Sequence, residues 1–205
     1  MTNYYYSENP EVTHQERHWN FELLGNNFQF TTDNGVFSKR TIDFGSRTLL
    51  KALAQKDQLT GIKGKILDVG CGYGPIGLAL AKKYPQLQVD MVDVNELALS
   101  LARQNAIANK VQNVKIFTSN VYQNIKDDDY TMIISNPPIR AGKKIVYEIL
   151  TGAYAHLAIN DFLTVVIQKK QGAPSAKKKM TETFDNCKMI FRNKGYQVLQ
   201  SQKVN

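Results

Sequence analysis

Short apolar runs rich in Val and Ile alternate along most of this chain with longer segments whose apolar positions recur at helical spacing. Residues 66–69, 88–94, 114–118, 130–135 and 162–167 read as strands, with 66–69 and 130–135 buried on both faces. Between them, 47–58 places Leu49, Leu50, Leu53 and Ala54 on one helical face, and 76–84 reads as a helix closed by Pro85. Residues 95–109 carry Leu97, Ala98, Leu101, Ala102 and Ala106 at i, i+4 spacing behind Asn95 as a cap. A further helix is predicted over 143–158, and 189–192 with 196–200 around Lys194-Gly195 predicts a closing β-hairpin. Upstream, 28–31 alternates like a short strand, Asp33-Asn-Gly35 is a turn signal and 36–38 resumes the apolar pattern, which predicts a hairpin or loop over a ligand. Residues 1–25 hold Tyr4, Tyr5, Tyr6, His14, His18 and Trp19 without a clear period. They read as an extension folded over the main domain, which divides the chain into 1–27 and a single domain over 28–205. His14 and His18 are spaced to share a helix face, but no third ligand type follows closely, so they are read as surface or packing histidines.

A ligand is expected where the first central strand breaks. Ile66, Leu67 and Val69 lead into Gly70, Gly72 and Gly74, which permit a tight backbone and close ligand approach, and Pro75 suits the first position of a helix. Such a corner aims backbone N–H groups at whatever binds there. The spacing is Gly-x-Gly-x-Gly, with Pro75 or Ile76 where a dinucleotide fingerprint wants its third glycine, so a nucleotide-like ligand without a pyrophosphate fits. Asp93 lies at the tip of the next strand, roughly twenty residues past the glycines, where a carboxylate can accept from both hydroxyls of a ribose. Asn120, at a third strand tip, either reads a purine edge or caps its own loop.

Composition narrows the class. The 205 residues suffice for one domain with a full core, and no apolar run is long enough to span a membrane. The polar, tyrosine-rich residues 1–10 show no signal peptide, and Cys71 and Cys187 lie far apart without metal-ligand spacing, so both are expected as reduced thiols in a cytoplasmic protein. Lys and Arg number 26 against 18 Asp and Glu, giving +8 and a pI near 9.4. The excess is clustered, which favours a polyanionic partner.

The most specific chemistry follows the strand at 130–135. Pro137 and Pro138 stiffen the backbone and press Asn136 toward an extended conformation, so that its side-chain carbonyl and a main-chain carbonyl can both face the crevice at the strand ends. Two acceptors facing one point suit an –NH₂ group. Donating to both turns the nitrogen lone pair out of conjugation and toward an electrophile held at the glycine corner, for which a methyl sulfonium is the fitting choice.

Asp68-Val-Gly-Cys-Gly-Tyr-Gly74 together with Asn136-Pro-Pro-Ile139 resembles the class I S-adenosylmethionine-dependent methyltransferases. With Gly35-Val-Phe-Ser38, Asp43-Phe-Gly45 and Asp93-Val-Asn95 in order, the chain from about Phe28 on is more narrowly similar to the methyltransferase small-domain family, which includes the small-subunit ribosomal RNA guanine-N2 methyltransferase C. The resemblance implies an α/β, Rossmann-like fold: a seven-stranded, mostly parallel sheet with an antiparallel last strand and helices on both faces. It implies S-adenosylmethionine as cofactor, held among Phe37, Asp68, Gly70, Cys71, Gly72, Gly74, Asp93, Val94, Asn120, Val121 and Asn136, with Asn136, Pro137, Pro138 and Ile139 as the catalytic segment. The implied reaction is methyl transfer to an exocyclic amine of an RNA base, guanine N2 of small-subunit rRNA, with rRNA or the small subunit as partner and a monomer or homodimer as working unit.

Two features depart from that pattern. Ile139 stands where the family often has an aromatic that stacks on the target base, so clamping falls to Ile139 itself or to Phe37. The better-known members also carry a degenerate N-terminal domain where this chain has a short extension, so RNA recognition is expected from one domain or a dimer.

Lys169 and Lys170 follow the strand at 162–167, and with Arg140, Lys143, Lys144, Lys177, Lys178 and Lys179 they are expected to form a basic rim on the phosphates flanking an extruded base. Lys177 to Lys179 read equally as a solvated helix face. Asn-Pro-Pro also occurs in adenine-N6 and glutamine-N5 methyltransferases, which leaves a protein glutamine amide as an alternative acceptor. A non-catalytic RNA-binding module is the other alternative, against which the intact Asp68, Gly70, Gly72, Asp93 and Asn136 argue.

Overall fold

The structure, a computed structural model, describes residues 13–55, 59–61 and 63–205. Tyr4, Tyr5 and Tyr6 and the end of the helix expected over 47–58 lie outside the described residues. In chain order the elements are strands β1 (Arg17–Leu23) and β2 (Asn26–Thr32), helix α1 (Phe44–Gln55), β3 (Gly64–Val69), α2 (Pro75–Lys83), β4 (Leu87–Asp93), α3 (Glu96–Ala108), β5 (Val114–Thr118), β6 (Tyr130–Ser135), α4 (Lys143–His156), β7 (Leu157–Gln168), α5 (Ala173–Phe184), β8 (Lys188–Asn193) and β9 (Tyr196–Gln202).

Seven strands form one sheet in the order β5-β4-β3-β6-β7-β9-β8. The first five run parallel, and the closing hairpin β8–β9 joins through β9, which is antiparallel to both β7 and β8. Successive residues of the central strands face opposite cores, as the two-residue period requires. Ile66, Ile134, Val166 and Val198 pack with α1, α2 and α3, whereas their neighbours Leu67, Ile133, Val165 and Leu199 pack with α4 and α5. Both faces are therefore covered, and polar groups that bind ligands must come from the strand ends. Among the described residues no helix is long and apolar enough to cross a membrane.

The N-terminal part departs from the sequence reading. The strand at 28–31 has its partner upstream: β1 pairs antiparallel with β2, from Arg17 opposite Thr32 to Leu23 opposite Asn26. Residues 36–40 form a bend and turns, so of the hairpin or loop expected there the loop is what forms. The alternation Trp19, Phe21, Leu23 supplies the inward face of β1. His18 therefore sits on a strand, with Nδ1 3.0 Å from Thr31 Oγ1, and His14 meets Asp33 Oδ2 at 2.6 Å, so the two share no helix face. The boundary expected between 27 and 28 falls inside this hairpin.

Two asparagines one helical turn apart at the end of α3 hold the hairpin down. Asn109 accepts from Gln29 N at 2.8 Å and donates to Gln29 O at 2.7 Å. Asn105 accepts from Thr31 N at 2.7 Å and donates to Thr31 O at 3.1 Å and to Tyr73 O at 3.0 Å. A primary amide presents the same donor and acceptor as a peptide unit, so these side chains satisfy the free edge of β2 as another strand would. Elsewhere α4 stops at His156, short of the expected 158. The strand begins at once at Leu157, longer than the 162–167 read from apolar content, with Asn160 left-handed at φ 71° inside it.

Candidate active site

The crevice opens at the C-terminal ends of β3, β4, β6 and β7 and at the start of β9, with a volume of about 360 Å³. Its floor is the glycine corner. Gly70 N and Cys71 N both donate to Val92 O, at 2.8 and 2.9 Å, which ties the corner to β4. Gly70 and Gly72 have φ of 74° and 57°, and a Cβ added at either would meet nothing within 4 Å. These two glycines serve the left-handed backbone and leave an open approach for a ligand. Gly74 serves packing as well. A Cβ there would lie 2.9 Å from Met91 Cε, so its bareness lets α2 pack on β4, and it does not line the crevice. Gly77, which the sequence reading passed over, is needed for the same reason, with Met91 Cγ 2.7 Å from its would-be Cβ.

Two carboxylates brace this corner. Asp68 is fully buried behind it, off the crevice; Oδ2 accepts from Gly77 N at 2.9 Å, and Oδ1 is buried with no partner among the described residues. Burial, only partly offset by the Gly77 hydrogen bond and reinforced by the charge of Asp93, pushes its carboxyl up to about 7. Asp93 lines the crevice and is clamped by backbone, Oδ2 accepting from Gly72 N at 2.9 Å and Oδ1 from Asn95 N at 3.0 Å. Burial raises its carboxyl as well, and those N–H groups pull in the opposite direction. A carboxylate offers about four acceptor positions, so some acceptor capacity remains for ligand hydroxyls. Cys71 also lines the crevice, but burial first and the charges of Asp93 and Asp68 next push its thiol well up, which keeps it protonated. Val94 is buried next to Asp93, and Asn120 and Val121 stand beyond the end of β5 without lining the crevice. The Asn120 carbonyl accepts from Gln123 N at 3.1 Å within its own loop.

The opposite wall holds Asn136, Pro137, Pro138, Ile139 and Arg140. Asn136 Nδ2 donates to Asp43 Oδ1 at 3.0 Å and to Ser46 Oγ at 3.1 Å. Asp43 caps α1: Oδ1 also accepts from Gly45 N at 2.8 Å and Ser46 N at 3.1 Å, and Oδ2 takes the Ser46 hydroxyl. A carboxylate oxygen accepts, so it decides which end of the Asn136 amide is which: the nitrogen faces Asp43 and Ser46, and the oxygen is the end they do not hold. Gly45 permits this contact, since a Cβ there would lie 3.2 Å from Asn136 Nδ2 and 3.0 Å from Asp43 Oδ1. Asp-x-Gly-Ser ahead of an apolar helix is an N-cap signal, and it places the helix start at Phe44 instead of 47.

The mouth is bordered by the loop at 35–38. Asn95 Nδ2 donates to Gly35 O at 3.1 Å and the Tyr73 hydroxyl to Ser38 O at 3.3 Å, so the loop is pinned to α3 and to the glycine corner while Phe37 stays 58% exposed at the rim. Tyr196, at the start of β9, completes the wall and was not foreseen, because nothing near it in sequence marks it. Of the expected basic rim, Arg140 lines the crevice, Lys169 and Lys170 flank it between the lining residues Gln168 and Gln171, and Lys143 and Lys144 are exposed at the start of α4. Lys177 and Lys178 are exposed on α5 away from the lining, with Lys178 4.0 Å and Lys179 3.4 Å from Glu182.

Over residues 27–200 the chain matches the family described as methyltransferase small domain. A Bacillus subtilis (strain 168) protein, described as uncharacterized protein YbxB, is 45% identical over 205 residues, 100% of both chains. Ribosomal RNA small subunit methyltransferase C of Vibrio vulnificus (strain CMCP6) is 30% identical over 191 residues, 91% of this chain and 53% of that protein. Among solved structures, the T. thermophilus 16S rRNA N2 G1207 methyltransferase RsmC, in complex with AdoMet and guanosine, superimposes with a TM-score of 0.82 at 24% identity, covering 92% of this chain and 50% of that one. The chain thus spans about half the length of these rRNA methyltransferase relatives.

Proposed function

The chain belongs to the methyltransferase small domain family, and from that premise we propose that it is an S-adenosylmethionine-dependent methyltransferase acting on an exocyclic amine of an RNA base, guanine N2 of small-subunit rRNA. The observation that carries this reading is Asn136, which lines the crevice together with the open glycine corner and whose amide nitrogen is held by Asp43 and Ser46, so that its oxygen is the end they do not engage. The corner fits the cofactor: Gly70 and Gly72 leave an open cradle, Asp93 keeps unused acceptor capacity, and a crevice of about 360 Å³ is in the range of small-molecule sites. Gly70, Cys71, Gly72 and Asp93, with Phe37 at the rim, would hold S-adenosylmethionine, which supplies an electrophilic methyl group on a sulfonium.

The protein's own contribution is positioning. Asn136 Oδ1 accepts one amine N–H, and a carbonyl of the proline-stiffened segment accepts the other, so the lone pair is directed toward the methyl group. No strong base is required. The aromatic amine becomes acidic only as the new N–C bond forms at the expense of the sulfonium S–CH₃ bond, which would leave S-adenosylhomocysteine, and water then receives the proton. The protonated Cys71 thiol has no part in this chemistry. Excess positive charge of +8 and relatives named as rRNA methyltransferases support RNA as the acceptor. Tritium transfer from labelled S-adenosylmethionine to rRNA, assembled small subunits and release factors tests the reading: label on a protein glutamine would overturn it, and no label on any acceptor would favour a binding module.

A further inference from the structure

Phe44, the first residue of α1, carries two cations on its ring: Arg47 Cζ lies 5.3 Å and Lys194 Nζ 5.7 Å from the ring centroid. The same ring meets Tyr196, with centroids 5.5 Å apart at 54°, and Tyr196 lines the crevice. Gly45 allows that approach, because a Cβ there would lie 3.1 Å from Tyr196 Cε1. From Asn136 outward, Gly45, Tyr196 and Phe44 therefore lead without a break to Arg47 and Lys194. The turn that carries Lys194 is tied to the end of β7, where the backbone N–H of Lys169 donates to Gly195 O at 2.7 Å.

Lys82, Lys115 and Lys203 also lie on aromatic rings, but those rings, Phe28, Phe117 and Tyr154, do not line the crevice, and other cations are paired with carboxylates. Lys65 sits 3.0 Å from both Asp127 and Asp129, and Lys179 sits 3.4 Å from Glu182. Tyr147 also carries two lysines, Lys143 at 5.0 Å and Lys179 at 5.8 Å, but one of them is shared with Glu182 and Tyr147 does not line the crevice. An aromatic face steadies a cation without neutralising it, so Arg47 and Lys194 keep their charge and N–H donors for an anion. A base whose amine reaches Asn136 must be splayed out of its strand, which brings its neighbouring phosphates to the mouth.

We propose that Arg47 and Lys194, held on Phe44, form a phosphate clamp for single-stranded RNA beside the target nucleotide, so that the strand leaves the crevice across Tyr196 and not along Lys177 and Lys178. The clamp rests on the RNA reading of the active site. The test is an Arg47→Gln/Lys194→Gln double variant compared with a Lys177→Gln/Lys178→Gln control, both assayed on small-subunit rRNA over a salt series. The clamp variant is expected to raise KM for rRNA and to flatten the slope of log K against log salt by about 0.7 for each lost phosphate contact, with S-adenosylmethionine affinity unchanged. Phe44→Leu keeps charge and bulk while removing the ring, and is expected to weaken rRNA binding about two- to fivefold. Parent slope and KM in the clamp variant, or a loss confined to the control, would overturn the clamp while the RNA reading stands. A parent enzyme that leaves rRNA unlabelled, or labels a protein instead, would overturn both.

Discussion

Replacing Asp43 separates what Asn136 contributes from what holds Asn136 in place. Asp43→Asn is the informative change, because Asn caps a helix about as well as Asp, so α1 should lose only a few tenths of a kcal/mol. The substituted amide can still present an oxygen where Oδ1 now accepts from Gly45 N, Ser46 N and Asn136 Nδ2. Its nitrogen would replace Oδ2 and turn the Ser46 hydroxyl from donor to acceptor. What disappears is the negative charge of the acceptor. A hydrogen bond to a charged group is worth about 1.5–3 kcal/mol and a neutral one about 0.5–1.5. The difference of roughly 1–1.5 kcal/mol corresponds to a fall in kcat of about five- to thirteenfold if it is expressed in the orientation of the reacting amine. Asp43→Ala removes cap and acceptor together. It should lower the melting temperature by about 2–4 °C per kcal/mol of lost cap. It should also lower kcat about a hundredfold as the amide turns freely. The measurements are kcat and KM on rRNA, calorimetric affinity for S-adenosylmethionine and thermal melts for each variant. Parent kcat in Asp43→Asn with an intact melting temperature would refute the idea that a carboxylate orients Asn136. So would a rate loss wholly accounted for by weaker cofactor binding.

Asn136→Ala should abolish turnover with cofactor affinity preserved, and Asn136→Asp should retain partial, strongly pH-dependent activity, because a charge must then be desolvated in the crevice; parent rates in the alanine variant would make Asn-Pro-Pro a rigid turn only. Asp93→Ala should weaken S-adenosylmethionine binding by about 1.5–3 kcal/mol, and an unchanged titration would remove Asp93 from the ribose site. Asp68 gives a pH signature. Its carboxyl, ordinarily at 3.8, is pushed up to about 7 in the fold, so between those values the folded protein holds a proton that the unfolded chain has lost. Its contribution to stability is therefore complete below about pH 4 and falls away as pH rises through 7. Denaturant melts from pH 4 to 8 should show that decline in the parent and a flatter profile in Asp68→Asn; identical slopes would mean the carboxyl is already ionised at the low end.

The elements whose pattern lies within a few residues were legible from sequence. The strands at 114–118 and 130–135, the Asn95 cap and the closing hairpin around Lys194-Gly195 follow from side-chain period and turn chemistry, which backbone geometry imposes locally. The glycine corner was legible for the same reason, since left-handed turns leave a mark on residue type. Which glycine lines the crevice was not, because Gly74 and Gly77 also have to stay bare where α2 packs on Met91 of β4. The β1–β2 pairing was missed although Trp19, Phe21 and Leu23 alternate; what secures it is Asn105 and Asn109, some seventy to eighty positions away. Asp43 and Asn136 stand 93 residues apart, and Tyr196 is more distant still from Phe44. These contacts exist because strand order β3-β6-β7-β9 sets the end of β6 and the start of the antiparallel β9 at the same edge as the N-terminus of α1. A chain can announce each turn by its residue type, but which turns meet is settled only when the sheet is assembled and both of its faces are buried.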